Sequence, residues 1–225
     1  MPHYFDVCYE DEQLLIVNKR AGVATMGVAD AKPSLLAAVK QHLAAGRVET
    51  DCFATAVGRL DFPVAGLVVI AKAPGVADHL RRQQEDGSIH KEYHALVSGR
   101  VDPPSGQRTD WLLKSKRHRH VTVASGDAVG AQIAEMKYRT LGRGVRASKL
   151  SIELLTGRKH QIRAQLSHFG HPILGDRKYG SADSFPEGIA LVCKRIGFVH
   201  PTSGQPVEWG VDYPESWAAA LMAAS

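Results

Sequence analysis

The chain has 225 residues, with 44% hydrophobic and 23% charged content, a formal charge of +5 and a pI near 9.2. That length builds a full core without metal or disulfide staples, and it suits one domain. The basic balance favours a polyanionic partner, nucleic acid before acidic membrane. Three well-spaced cysteines, Cys8, Cys52 and Cys193, contain no Cys-x-x-Cys and exclude a disulfide scaffold or zinc ribbon. Buried thiols in a reducing cytoplasm are expected. No basic-then-apolar leader opens the chain, and no apolar stretch reaches the ~20 residues of a membrane span.

In chain order, Tyr4 to Asn18 reads as two short strands around the acidic turn Glu10-Asp11-Glu12. The second, Leu14-Leu15-Ile16-Val17, is continuously apolar and therefore interior. Pro33-Ser34 opens a helix with Ser34 as N-cap; Leu36, Val39 and Leu43 share a face, and Gly46 can end it. Gly66 to Ala71 is a buried strand, Val76 to Gln84 a helix, and His90 to Ser98 a strand. Pro103-Pro104-Ser105-Gly106 is a turn. Further strands are expected at Val121–Val123, around Met136–Tyr138, and at Leu150–Leu154, where apolar residues alternate with period two. His160 to Phe169 is a helix with Ile162, Leu166 and Phe169 on one face and Gly170 at its end. Strands dominate without regular βαβ alternation. This predicts an α+β fold, a mixed and mainly antiparallel sheet with flanking helices.

Two runs carry candidate chemistry. Gly58-Arg59-Leu60-Asp61 places a carboxylate beside an arginine, just before an apolar strand. A carboxylate near a fixed positive charge stays ionised, and an ionised, positioned Asp is a candidate nucleophile. Taken alone, an Asp before a strand is more often a turn former. The second run is Thr156-Gly157-Arg158-Lys159-His160-Gln161-Ile162-Arg163. It puts Arg158 and Lys159 just ahead of a helix N-terminus, a favourable phosphate site. Lys114, Lys116, Arg117 and Arg119 form another basic cluster, read evenly as a solvated hairpin or a phosphate contact.

These runs, with Lys91-Glu92-Tyr93-His94-Ala95-Leu96-Val97 between them, resemble the RluA family of RNA pseudouridine synthases. Arg59, Leu60, Asp61, Gly66 and Leu67 match the family run around its nucleophile. Gly170-His171-Pro172-Ile173-Leu174-Gly175-Asp176 and Tyr179-Gly180 extend the match. The resemblance implies catalytic roles for Asp61 as nucleophile, Tyr93 stacked on the flipped uracil, and Arg163 paired with Asp61. It implies RNA contacts at Arg59, Arg158, Lys159 and His160. His171 and Asp176 are read as shaping a loop.

The chain departs from the family where Gly58 replaces the usual His and Val64-Ala65 replace Thr-Ser. Lost hydroxyls and a looser glycine backbone put the rigidity of that loop in question. The implied reaction is an isomerisation, so no cofactor and no metal are expected. The partner is RNA, ribosomal or transfer, with no membrane partner, and the protein is expected to be monomeric. Residues 1–225 are read as one catalytic domain without the small N-terminal RNA-binding domain of some relatives. The rival reading is a non-catalytic RNA-binding or RNA-folding protein that keeps the fold.

Overall fold

The structure, a computed structural model, describes residues 3–27, 34–45, 52–115, 120–213, 216–217 and 220. In chain order its elements are β1 (Phe5–Glu10), β2 (Leu14–Lys19), α1 (Leu35–Ala44), β3 (Thr55–Val57), β4 (Ala65–Ala71) and α2 (Pro74–Glu85). Then come β5 (His90–Ser98), β6 (Ser105–Lys114), β7 (Val121–Ala124), β8 (Gln132–Arg143), β9 (Ala147–Leu154) and α3 (Gln161–His168). A short 3-10 turn follows at Arg177–Tyr179, and β10 (Leu191–Val199) and β11 (Pro206–Gly210) close the chain. They group into two compact units, Met1–Lys91 with Val192–Asp212, and Glu92–Leu191 with Tyr213–Ser225.

In the first unit, β2 lies between β1 and β4, antiparallel to both. Flanked on both edges, it is apolar over its first four residues: Leu14, Leu15, Ile16 and Val17 are fully buried. The far edge of β4 is shared. β3 pairs with its end (Val57 opposite Val69), and β10 runs parallel to its start, with Gly66 opposite Cys193. A Cβ on Gly66 would come 2.5 Å from the Cys193 backbone nitrogen, so only glycine allows this approach. Ser34 caps α1 as expected, its hydroxyl accepting from the Ala37 N–H at 3.2 Å. Pro33 and Gly46 lie outside the described residues.

The second unit is an antiparallel sheet in the order β5-β9-β8-β6-β7. Helix α3 packs on it. Leu112, Val121, Ala134, Ala164 and Tyr179 form one buried cluster there, with Val123 against it. The mixed, mainly antiparallel α+β architecture is the one the sequence predicts.

Several expectations are corrected. Ser105 and Gly106 are not a turn; they begin β6, and only residues 102–104 bend. Strands β6, β10 and β11 go unread because their residues do not alternate cleanly: β6 starts on Ser-Gly-Gln-Arg, and β10 carries Lys194-Arg195 in its middle. Helix α2 begins earlier, at Pro74, where a missing N–H costs nothing. Cys193 is buried and Cys52 half-buried, but Cys8 is exposed, so the buried-thiol account does not cover it. Of the basic cluster, Lys114 ends β6, whereas Lys116, Arg117, His118 and Arg119 lie outside the described residues.

Candidate active site

In the first unit, Asp61 sits in the connection from β3 to β4, and that connection is held by hydrogen bonds from a second loop. Thr25, buried, donates its hydroxyl to the Leu60 carbonyl at 2.8 Å and accepts from the Leu60 N–H at 3.1 Å. The Gly22 N–H donates to the Phe62 carbonyl at 2.9 Å. A turn closes over Asp61 itself, with the Val64 N–H donating to the Asp61 carbonyl at 3.0 Å. The residue before Asp61 is therefore buried and clasped, while Asp61 is half-buried and Arg59 and Phe62 on either side are exposed.

The clasping loop has its own anchor. Lys19 ends β2 fully buried, and its ammonium donates to the carbonyls of Arg20 (2.9 Å) and Val23 (2.8 Å). Burial pushes its pKa down to about 8, against the opposing pull of the Asp61 carboxylate. A buried lysine thus holds the loop that holds Leu60.

Gly58 makes the bend that leads into the Asp61 loop. It adopts φ +77°, a left-handed conformation that side chains resist, and a Cβ there would lie 2.6 Å from Lys91 Nζ and 2.9 Å from Gln84 Oε1. Burial lowers the Lys91 pKa as well. The left-handed φ of the bend that turns the chain from β3 into the Asp61 loop favours glycine.

In the second unit, Tyr93 is buried on β5, opposite Ile152 of β9. Its neighbours fasten this stretch. The Glu92 carboxylate accepts from the Ser151 hydroxyl at 2.6 Å and pairs with His94 Nε2 at 2.7 Å, and His94 Nδ1 meets the Tyr213 hydroxyl at 2.5 Å.

The run Thr156–Arg163 is folded mainly by Gln161. Its side-chain oxygen accepts from the Thr156 hydroxyl (2.8 Å) and the Arg158 N–H (2.9 Å), and its amide donates to the Glu135 carbonyl (3.0 Å). His160 begins α3 in a left-handed conformation, φ 53°, uncommon for a residue with a side chain, and pairs with the Tyr179 hydroxyl at 2.7 Å. Arg158 and Lys159 are exposed just before the helix, and Arg158 Nε donates to the Ile133 carbonyl at 3.0 Å.

Arg163 is buried, not a surface residue of α3. It binds Asp176 through two nitrogens, Nε at 2.7 Å and NH2 at 2.9 Å, and its guanidinium lies 4.8 Å from the centre of the Tyr179 ring. Asp176, read from sequence as a loop former, does more than shape the loop. Its backbone carbonyl accepts from Tyr179 and Ser181, and its carboxylate fixes Arg163. Thr25, Lys19 and Asp176 are the contributors that sequence reading misses.

The family model described as RNA pseudouridylate synthase matches residues 13–168. A Zymomonas mobilis protein named ribosomal large subunit pseudouridine synthase D is 30% identical over 228 residues, covering 93% of this chain and 69% of that protein. A Nitrosomonas europaea protein of the same name is 32% identical over 233 residues, covering 96% and 64%. The chain thus spans about two thirds of the length of these relatives. Among solved structures, human RNA pseudouridylate synthase domain containing 4 superposes with a TM-score of 0.79 at 19% identity, covering 96% of this chain and 91% of that one. At that identity the likeness concerns the fold. Fold and sequence together define an RNA-modifying isomerase. The chain belongs to the RluA family of RNA pseudouridine synthases.

Proposed function

We propose that this protein converts a uridine of large-subunit ribosomal RNA to pseudouridine, with Asp61 as the reacting carboxylate. The observation that carries this reading is the Asp61 loop. Leu60 is clasped from both sides by Thr25, while the neighbouring Asp61 stays half-exposed, as a group that must meet a substrate requires. The names of the curated relatives, ribosomal large subunit pseudouridine synthases, favour ribosomal over transfer RNA.

In this reaction the bond from ribose C1′ to N1 breaks and a bond from C1′ to C5 forms. The proton on C5 is lost and N1 gains one, so no net oxidation or hydrolysis occurs. The uridine must leave its stack, at a cost of roughly a few kcal/mol. Contacts of Arg59, Arg158, Lys159 and His160 to phosphates and sugars offset that cost. Asp61 acts at the ribose, by addition at C1′ or by removal of a ribose proton. Tyr93 holds the detached uracil by its ring face while the base turns. Arg163, the arginine that the family resemblance assigns to the reacting site, is held in one orientation by Asp176.

Pseudouridine mapping in total RNA from cells with and without the gene tests the proposal. The expected result is loss of pseudouridine at one or a few large-subunit positions, restored by the purified protein acting on that RNA. Loss confined to transfer RNA overturns the substrate assignment. An unchanged map, with RNA binding by the purified protein, favours the non-catalytic reading.

A further inference from the structure

Phe62 follows directly on Asp61 and is 61% exposed, the most exposed aromatic among the described residues. A single exposed apolar side chain is ordinary on a protein surface. This one differs in where it stands and how it is held. Its carbonyl is bound by the Gly22 N–H at 2.9 Å, and it occupies the turn that the Val64 N–H closes onto the Asp61 carbonyl at 3.0 Å. Pro63, next along, restricts the backbone further. The preceding buried residue, Leu60, is clasped by Thr25. The backbone beneath Phe62 is thus fixed, and little ordering remains to be done when its ring is covered.

On the other side of Leu60, Arg59 is also exposed. An exposed cation and an exposed aromatic ring therefore bracket the half-buried Asp61. That combination suits a single-stranded nucleic acid, whose phosphates meet the cation and whose bases stack on the ring. Met26, which follows Thr25 on the clasping loop, is 42% exposed and adds apolar surface to that loop.

We propose that Phe62 is a stacking platform for a base adjacent to the target uridine in the substrate RNA. This rests on the function proposed above. Stacking on Phe62 replaces part of the stacking that the neighbouring base loses when the uridine leaves, and so holds the strand open with Asp61 beside the vacated position. The contact is made by a ring face that every base offers, so it contributes affinity and register with little sequence preference.

The test uses the full chain with Phe62→Ala, Phe62→Leu and Phe62→Trp, and a short RNA spanning the uridine found by mapping. That RNA is made intact and with an abasic residue on the 5′ or the 3′ side of the uridine. Expected for Phe62→Ala is a roughly tenfold rise in KM and in RNA dissociation constant, the size of one base–aromatic stack. Phe62→Trp stays near wild type, and Phe62→Leu falls with Ala. On one of the abasic RNAs, wild type and Phe62→Ala become equal.

Because stacking releases no counterions, the dependence of affinity on salt keeps its slope in Phe62→Ala, whereas Arg59→Ser flattens it. A Phe62→Ala variant that binds intact RNA as wild type does overturns the proposal. So does a defect that is equally large on both abasic RNAs. If wild type makes no pseudouridine on the RNA, the function proposed above fails, and the affinity series on the same RNAs still decides the role of Phe62.

Discussion

Thr25 and Leu60, thirty-five residues apart in sequence, exchange two hydrogen bonds through one hydroxyl, which donates to the Leu60 carbonyl and accepts from the Leu60 N–H. Leu60 immediately precedes Asp61, so this hydroxyl sets where the Asp61 loop begins. Thr25→Val keeps the shape and removes the hydroxyl. It leaves a buried N–H and carbonyl unpaired, at about 1–3 kcal/mol. The expected outcome is lower stability and a kcat that falls more than KM rises. Thr25→Ser restores both, because it restores the hydroxyl. Equal kcat in the Val and Ser variants would show that the clasp does not position Asp61.

Gly58 carries the bend into the same loop. Gly58→Ala forces a Cβ into a left-handed conformation and against Lys91 Nζ. Such strain costs roughly 1–2 kcal/mol. Urea unfolding should show a lower midpoint with an unchanged slope. A variant as stable as wild type would mean that the loop accommodates a side chain there, as the histidine of other family members suggests.

Arg163 and Asp176 are buried together, so removing either side chain breaks a desolvated, doubly hydrogen-bonded ion pair. Arg163→Leu and Asp176→Leu should each destabilise the fold by about 3–5 kcal/mol. The double variant should recover much of that loss. Additive losses in thermal or urea unfolding would show that the two side chains do not act as a pair. Activity assays on Arg163 variants therefore need a fold measurement beside them.

Lys19 gives stability a pH signature. Its folded pKa, about 8, lies below the ordinary lysine value of 10.5, so folding disfavours its proton. Between these values the unfolded chain holds a proton that the folded chain has released, and stability rises with pH through that window. Below about pH 8 both states are charged and the penalty is constant. Relative to Lys19→Met, which has no proton to release, wild type should gain about 2 kcal/mol in unfolding free energy from pH 8 to pH 10. A flat difference across that range would mean that Lys19 is not desolvated.

Much of this architecture is legible in the sequence because apolar periodicity reports burial directly. β2 opens on four apolar residues that are fully buried, and β9 alternates because one face is less buried than the other. Asp61 stood out because a charged residue preceded an apolar strand in a recognisable run. What stayed hidden is what depends on partners far along the chain. Nothing near Thr25 says that its hydroxyl is bound to Leu60, and nothing near Asp176 says that its carboxylate is bound to Arg163. Lys19 looks like any lysine ending a strand until the loop folding back over it is seen. Gly58 looks permissive in the sequence, and only its left-handed φ shows why glycine is favoured there.

The central claim is that the Asp61 carboxylate carries the chemistry. Asp61→Asn keeps size and shape and removes the charge that could add to C1′ or take a proton. Pseudouridine formation on the mapped RNA should fall to background in this variant, while its RNA dissociation constant stays within about threefold of wild type, under half of the 1.4 kcal/mol that a tenfold change represents. Turnover at or near the wild-type rate in Asp61→Asn, with pseudouridine identified at the same position, would contradict the account.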